Sequence, residues 1–465
     1  MHPTGDQHKQ NPETGDIIVH VEEYPEIMRL NFILLNIFGL LPPTRAGPLM
    51  KFIYKMFIAA VMLMDVLILL GQVLAVVVYW GNLELISAIV GVMNGFAVAF
   101  ISCAYFVINK EKILMLVDIM RDKFVATTKS KYMNLIKKAD SQVVVYLYLS
   151  SPVVVCCSFS WGVATVINMN EFSNMETNNV TKTEQNVDKM VFVMWTPFDV
   201  QQSPQFEIFS VFQICFVCIG VVTSYTLSVL VLSLMSHSAA QFNILVAMLN
   251  DMHENISDNE LTAIETAFSA NSAIDGGKVF DNETDEESRN GHCSELLRHF
   301  NEPDNLDEDK FQRYLINCIK HHESMINFVG RISDVVSIVV FLQIMNLPII
   351  LCVTGFQMTQ TFDRHEQFFK FCSLSVAALY HIFSYSWFGQ QMTNKSEEVA
   401  TALYSTDWYN QKPGFKRLLL LAIMRASRPV KVKVGVFYDM SFDTFTSIMN
   451  VAYKYFAVLI QLNES

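Results

Sequence analysis

The chain has 465 residues, 52% of them hydrophobic and only 17% charged, with 35 Phe and 24 Met. Soluble domains carry charged residues nearer a quarter, so the composition excludes a string of soluble domains, and with it disorder, collagen or a disulfide scaffold as the overall class. The formal net charge of -12 is local: residues 251–310 hold 17 Asp and Glu against 4 Lys and Arg, and the remainder is near neutral, with no basic face for nucleic acid.

The first residues, MHPTGDQHKQNPETGD, are polar and have no apolar core followed by a small-residue cleavage site, so no cleaved signal peptide is expected. Uncharged runs follow at Leu85 to Asn109, Ser141 to Asn170, Ile208 to Ser236, Val335 to Met358 and Phe371 to Thr393. Each exceeds the roughly 20 residues that cross a bilayer core as a helix. Two more runs are interrupted by one ionisable residue, Phe52 to Trp80 by Asp65 and Phe442 to Leu462 by Lys454. The expected fold is an all-α membrane protein of seven transmembrane helices. Four parts are expected: a cytosolic segment at 1–50; helices 1 to 4 at 51–236, with an extracellular connection at 171–207; cytosolic helical extensions at 237–330 around an acidic disordered loop at 256–309; and helices 5 to 7 at 331–465.

Lys and Arg counted in alternate connections give 23 against 4, which places the N-terminus in the cytosol and the C-terminus outside. Among the sequons, Asn179 falls in an extracellular connection and is the expected glycan acceptor; Asn255, Asn282 and Asn394 fall on the cytosolic side. Residues 110–139 repeat apolar side chains near helical spacing, predicting a helix that continues below the membrane, and 237–255 and 311–330 read the same way. Pro152 and Pro348 are expected to bend their helices.

Enzymatic motifs are missing: there is no GxGxxG, GxxxxGK[ST], HExxH or paired CxxC, and the nine Cys fall mostly in apolar runs. Neither an enzyme nor a metal or other cofactor is expected. The seventh run carries Ser447, Asn450, Lys454, Val458 and Gln461 three or four residues apart, a mostly polar stripe on one helical face. Periodicity alone reads equally as a seam packed against another span or as one wall of a water-filled pore. A pore made from one such helix requires several subunits around an axis.

The C-terminal stretches Ser386-Trp387-Phe388-Gly389, Ser396-Glu397-Glu398 and Ala402 to Tyr409 resemble the insect odorant receptor family. So do Leu418 to Arg425 with Ala426-Ser427-Arg428-Pro429-Val430, then Gly435-Val436-Phe437 and the ending FDTFTSIMNVAYKYFAVLIQL. The resemblance covers about the last 80 residues in order. It implies a ligand-gated, non-selective cation channel of four subunits in the plasma membrane of sensory neuron dendrites, with the seventh helices around the pore. The partners implied are a small volatile odorant, cations, the lipid bilayer, and further copies of the chain or the family's co-receptor.

Carried over by resemblance, Val458 and Leu462 form the apolar constriction and Gln461 its polar neighbour, while Trp408 and Tyr409 anchor the cytosolic assembly region. Lys454 departs from the neutral residue expected there. The family's pocket lies in the outer half of the second, third, fourth and sixth spans, which here offer Met93, Phe96, Val154, Cys157, Ser158, Trp161, Phe212, Cys215, Tyr380 and Phe383. Asp65 and His381, ionisable at membrane depth, read either as hydrogen bonds inside the bundle or as a gating or ligand contact. The co-receptor itself, a metabotropic receptor and a transporter are the alternatives. Ser405-Thr406-Asp407-Trp408-Tyr409 stands where the co-receptor has Ser-Cys-His-Trp-Tyr, which favours an odour-binding subunit.

Overall fold

The long uncharged runs form long helices, because a helix satisfies its backbone internally where lipid offers no partner. The computed structural model describes residues 31, 33, 35, 36, 40, 47–177, 190–197, 200, 204–257, 310–435 and 438–464, the side chains of 168–177, 257 and 462–464 excepted. Asn179, the loop from 258 to 309, most of the segment 1–50 and the Leu462 side chain lie outside the described residues.

Helix α1 (Pro48–Val78) starts with a proline in its first turn, where a missing N–H leaves no helical bond unmade. Its buried residues are Asp65, Ile68, Gly71, Gln72 and Ala75, a single stripe, while Leu63, Leu67, Leu70, Leu74 and Val77 stand exposed. An apolar surface of that extent calls for lipid around it. Helix α2 (Leu83–Ile119) is capped by Asn82, whose Oδ1 accepts the Leu85 N–H at 3.1 Å. It departs from helical dihedrals at Asn109, where the uncharged run gives way to Lys110.

The single helix expected over 110–139 is two. A π-helical turn at Met120–Val125 ends the first, and a 3-10 turn at Ser130–Tyr132 leads into α3 (Met133–Thr177). The Thr127 and Thr128 hydroxyls donate to the Lys123 and Phe124 carbonyls at 2.6 Å and so close the end of the helix. Helix α3 continues through Pro152 and past residue 170 to Thr177, so helix runs on beyond the uncharged stretch.

Helix α4 (Gln205–Asn250) is followed by the short α5 (Met252–Ser257). Then come α6 (Lys310–Gln360), α7 (His365–Tyr404), a 3-10 turn at Trp408–Asn410, α8 (Pro413–Ala426) and α9 (Phe442–Glu464). Five of these helices, α1 to α4 and α6, are long and apolar enough to cross a membrane. Helices α7 and α9 are more polar, through residues such as His381, Asn450 and Lys454.

One departure from an all-helical chain is a hairpin of β1 (Lys433–Val434) and β2 (Tyr438–Asp439), with Gly435 at φ 61° in its turn. A side chain at 435 would also meet the Phe341 ring at 2.7 Å. The hairpin is pinned to α6, where Ser333 and Ser337 hydroxyls accept the Lys433 and Gly435 N–H groups. Ser396 of α7 accepts the Val430 N–H in the same way, at 2.9 Å.

The main core sits in the inner half, where α4 and α7, α2 and α6, and α3 and α4 pack together. From Thr226 to Phe242 the residues of α4 are nearly all buried, including Ser228, Ser233 and Ser238. Their hydroxyls donate to carbonyls four residues earlier, so small side chains allow close packing without unpaired polar groups. Asn255 is buried, its Nδ2 donating to the Tyr132 and Tyr314 hydroxyls at 3.0 and 2.9 Å, which leaves no room for a glycan.

At 51 residues α6 is about 77 Å long, more than twice a bilayer core, so its charged start extends beyond any single crossing that begins at Val335. There His321 and His322 lie edge-on to the Phe124 and Phe242 rings. Burial pushes both imidazoles down to about 4, assisted for His321 by His322 and Lys123 and for His322 by Arg425. The folded protein therefore resists protonation that the unfolded chain accepts near 6.5. The stability they contribute is complete above that value and is lost as pH falls towards 4. Melting of the detergent-purified protein at pH 7.5 and 5.0 is expected to show a drop worth about 2 kcal/mol per histidine. The double variant His321→Leu, His322→Leu shows a smaller drop.

Candidate functional site

The outer half of the bundle holds a second cluster, separate from the main core. Ile68 of α1, Phe96 of α2, Cys157 and Trp161 of α3 and Phe216 of α4 converge there with Val191 and Phe192 of the segment before α4. The rings form a connected set: Phe96 lies 5.2 Å from Phe192 and 6.0 Å from Phe216, and Phe212 stacks on Phe216 at 6.1 Å. An enclosed, mostly apolar group of aromatics with a few polar atoms is what a small organic ligand requires.

The segment 190–196 closes this end and is tied to three helices. The Trp195 N–H donates to Gly71 O of α1 at 2.9 Å, and Gln213 Nε2 of α4 donates to Phe192 O at 2.9 Å. Lys370 Nζ of α7 donates to Val191 O at 2.9 Å and stands 4.3 Å from the centre of the Trp161 ring of α3.

Of the residues predicted to line a pocket, Phe96, Cys157, Trp161 and Phe212 meet in this cluster. Met93, Val154 and Ser158 are half-buried on α2 and α3, with the Ser158 hydroxyl donating to Val154 O. Tyr380 lies deeper, stacked on Tyr146 at 5.6 Å with its hydroxyl 3.3 Å from Tyr146 O. Two residues lie elsewhere. Cys215 is exposed on α4, and Phe383 of α7 packs beside Phe442 and Phe445 of α9.

Sequence reasoning passed over Phe192, Phe216, Gln72, Gln213 and Lys370. Phe216 was legible as the helical neighbour of Phe212, one turn on. Lys370 counted only among the 4 Lys and Arg of the connections expected to lie outside. Of the ionisable residues at depth, His381 Nε2 lies 2.9 Å from the Ser228 hydroxyl and its ring meets Tyr385 edge-on at 5.0 Å. Asp65 is buried on the inward stripe of α1. A separate cavity of about 40 Å³ lies in the inner half, lined by Ser102, Tyr105, Leu230, Val336, Gln343 and Tyr385. It has room for a few waters, well short of the roughly 150 Å³ that accommodates benzene.

Helix α9 packs on α6 and α7 through Thr444, Ile448 and Ala452, and Gly355 of α6 lets the Phe456 ring approach. The predicted stripe lies on the other side: Ser447, Asn450, Lys454, Val458 and Gln461 are all exposed, Val458 by 51%. Trp408, in the turn after α7, is half-buried against the core, with its ring 6.2 Å from that of Tyr409. Tyr409 is exposed, and Leu420, Leu421 and Met424 form an uncovered apolar face on α8.

The model of the 7tm Odorant receptor family matches residues 84–453. Odorant receptor 10 of Aedes albopictus is 28% identical over 145 residues, 31% of this chain and 38% of its own. Odorant receptor 9a of Drosophila melanogaster is 30% identical over 149 residues, 32% of this chain and 38% of its own. These matches span well under half the length of the curated relatives. Among solved structures, the olfactory receptor OR5 from Machilis hrabei in complex with eugenol is similar with a TM-score of 0.71 at 14% identity. The superposition covers 96% of this chain and all of that one, and shows a shared fold. With several helices able to span a membrane and a family match over most of its length, the chain belongs to the 7tm odorant receptor family.

Proposed function

We propose that the chain is an odour-binding subunit of a cation channel in the plasma membrane, on the dendrites of sensory neurons. Four subunits, either copies of this chain or this chain with the family's co-receptor, surround an axis lined by α9. Helices α7 and α9 are then the sixth and seventh spans, with the N-terminus cytosolic and the C-terminus outside. The observation that carries this reading is the exposed stripe of α9, from Ser447 to Gln461, on the face turned away from its own bundle. In lipid such a stripe is costly, whereas around a symmetric axis it meets water and its own copies.

Val458 and Leu462 then form an apolar ring that resists wetting until the helices move apart, with Gln461 beside it. The volatile enters the outer aromatic cluster, and eugenol, held by a solved relative, exemplifies its size. Lys454 stands on the exposed stripe and tempers cation flow. Leu420, Leu421, Met424, Trp408 and Tyr409 form the cytosolic assembly contact, and Asn179 carries the glycan.

Gln461→Cys tests the pore assignment. A cationic, membrane-impermeant thiol reagent applied from outside is expected to block most of the volatile-evoked current in this variant and none in the wild type. A surface-expressed variant whose current survives the reagent overturns the assignment.

A further inference from the structure

Lys370 is the least expected side chain in the outer cluster. It is 8% exposed, yet among the described residues no carboxylate pairs with it, Glu366 one turn earlier included. Its ammonium has three N–H donors: one reaches Val191 O, and the face of Trp161 covers another side at 4.3 Å. A charge taken from water into apolar surroundings is costly unless a counter-charge meets it, and a backbone carbonyl with an aromatic face is a partial substitute.

The same end of the bundle holds further polar atoms without partners. Gln213 is fully buried: its Nε2 holds Phe192 O, next to the carbonyl that Lys370 holds, while its Oε1 is unpaired. Gln72, beside the Gly71 carbonyl that ties down Trp195, is fully buried with both amide atoms unpaired. Three polar side chains from three helices thus bracket segment 191–195 with hydrogen-bonding capacity unused. Such groups in a native structure call for an absent partner.

Resting on the reading of this cluster as the odorant site, we infer that Lys370 selects the ligand, and that the ligand class is volatile carboxylic acids. The acid is ionised at neutral pH and places its carboxylate on the Lys370 ammonium, forming the charge-assisted pair that none of the described residues makes. Its aliphatic or aromatic tail lies among Phe96, Trp161, Phe192 and Phe216. An alcohol of the same tail offers no counter-charge and binds more weakly. Because Lys370 also holds Val191, an arriving carboxylate competes for the ammonium and loosens segment 190–196.

The test compares hexanoic and phenylacetic acids with hexanol and 2-phenylethanol, on wild type and Lys370→Met, recorded with the co-receptor present. Methionine keeps the apolar stem and removes the charge, a change that buried sites tolerate. The half-maximal concentration for the acids is expected to rise about 10- to 100-fold in the variant, while the alcohols shift less than about threefold. In detergent, the acids raise the melting temperature of the wild type and not of Lys370→Met. A parallel loss of acid and alcohol responses means that Lys370 only pins the segment, and overturns the inference. Alcohol-gated currents from a wild type that acids neither gate nor stabilise also overturn it, leaving the channel reading intact. Acid stabilisation confined to the wild type, without any current, supports the inference and removes the channel reading.

Discussion

Gly389→Val is expected to abolish delivery of the chain to the cell surface. A Cβ at position 389 of α7 would lie 2.5 Å from the carbonyl oxygen of Met440, in the stretch joining β2 to α9. That neighbour is backbone, held by the Met440 N–H bond to Val432 O and by the hairpin's bonds to α6, so it cannot swing aside as a long side chain can. Overpacking typically costs about 1–3 kcal/mol, and a clash with fixed backbone falls at the upper end, a large part of a typical folding free energy. Surface labelling checks the prediction, with Gly95→Ala as control, since a Cβ there meets nothing within 4 Å. Wild-type surface levels of Gly389→Val would contradict the close approach of α7 to the start of α9.

Trp161→Ala is expected to raise the volatile concentration for half-maximal current by about 100-fold or to silence the response. The indole is 6% exposed, fills the centre of the outer cluster and carries the Lys370 ammonium on its face. Truncating a buried tryptophan costs about 3 to 5 kcal/mol, part of it in folding, so surface labelling accompanies the recordings. Trp161→Phe keeps an aromatic face and most of the packing, and falls between alanine and wild type. An unchanged dose response in surface-expressed Trp161→Ala would remove the cluster from ligand recognition.

The membrane class was legible in the sequence because a bilayer imposes a one-dimensional demand: long stretches without charge, and basic residues on one side. The stripe on α9 was legible for a related reason, since period and polarity alone put Ser447, Asn450, Lys454, Val458 and Gln461 on one face. The structure exposes all five. Which partner each face meets depends on packing that periodicity does not encode. Cys215 is next to the buried Phe216 yet points away, and Phe383, on a helix rich in pocket candidates, meets α9 instead.

Lys370 shows the limit most clearly. A lysine just before an apolar run reads as an interfacial residue whose head reaches for water. Only the tertiary structure brings Trp161, some 200 residues away in sequence, under its ammonium. The break in 110–139 was hidden likewise, because Thr127 and Thr128 act through hydroxyl bonds to the preceding turn.

The central claim is that the chain itself helps to form a conducting pore that a volatile opens directly. Purified protein reconstituted in planar bilayers, alone and mixed with an insect odorant co-receptor, tests it in the absence of nucleotide and of any G protein. The account predicts cation-selective single-channel openings that appear when a volatile is added and vanish when it is washed out. Bilayers that stay silent while the same preparation binds the volatile, together with cell currents that require nucleotide, would contradict it.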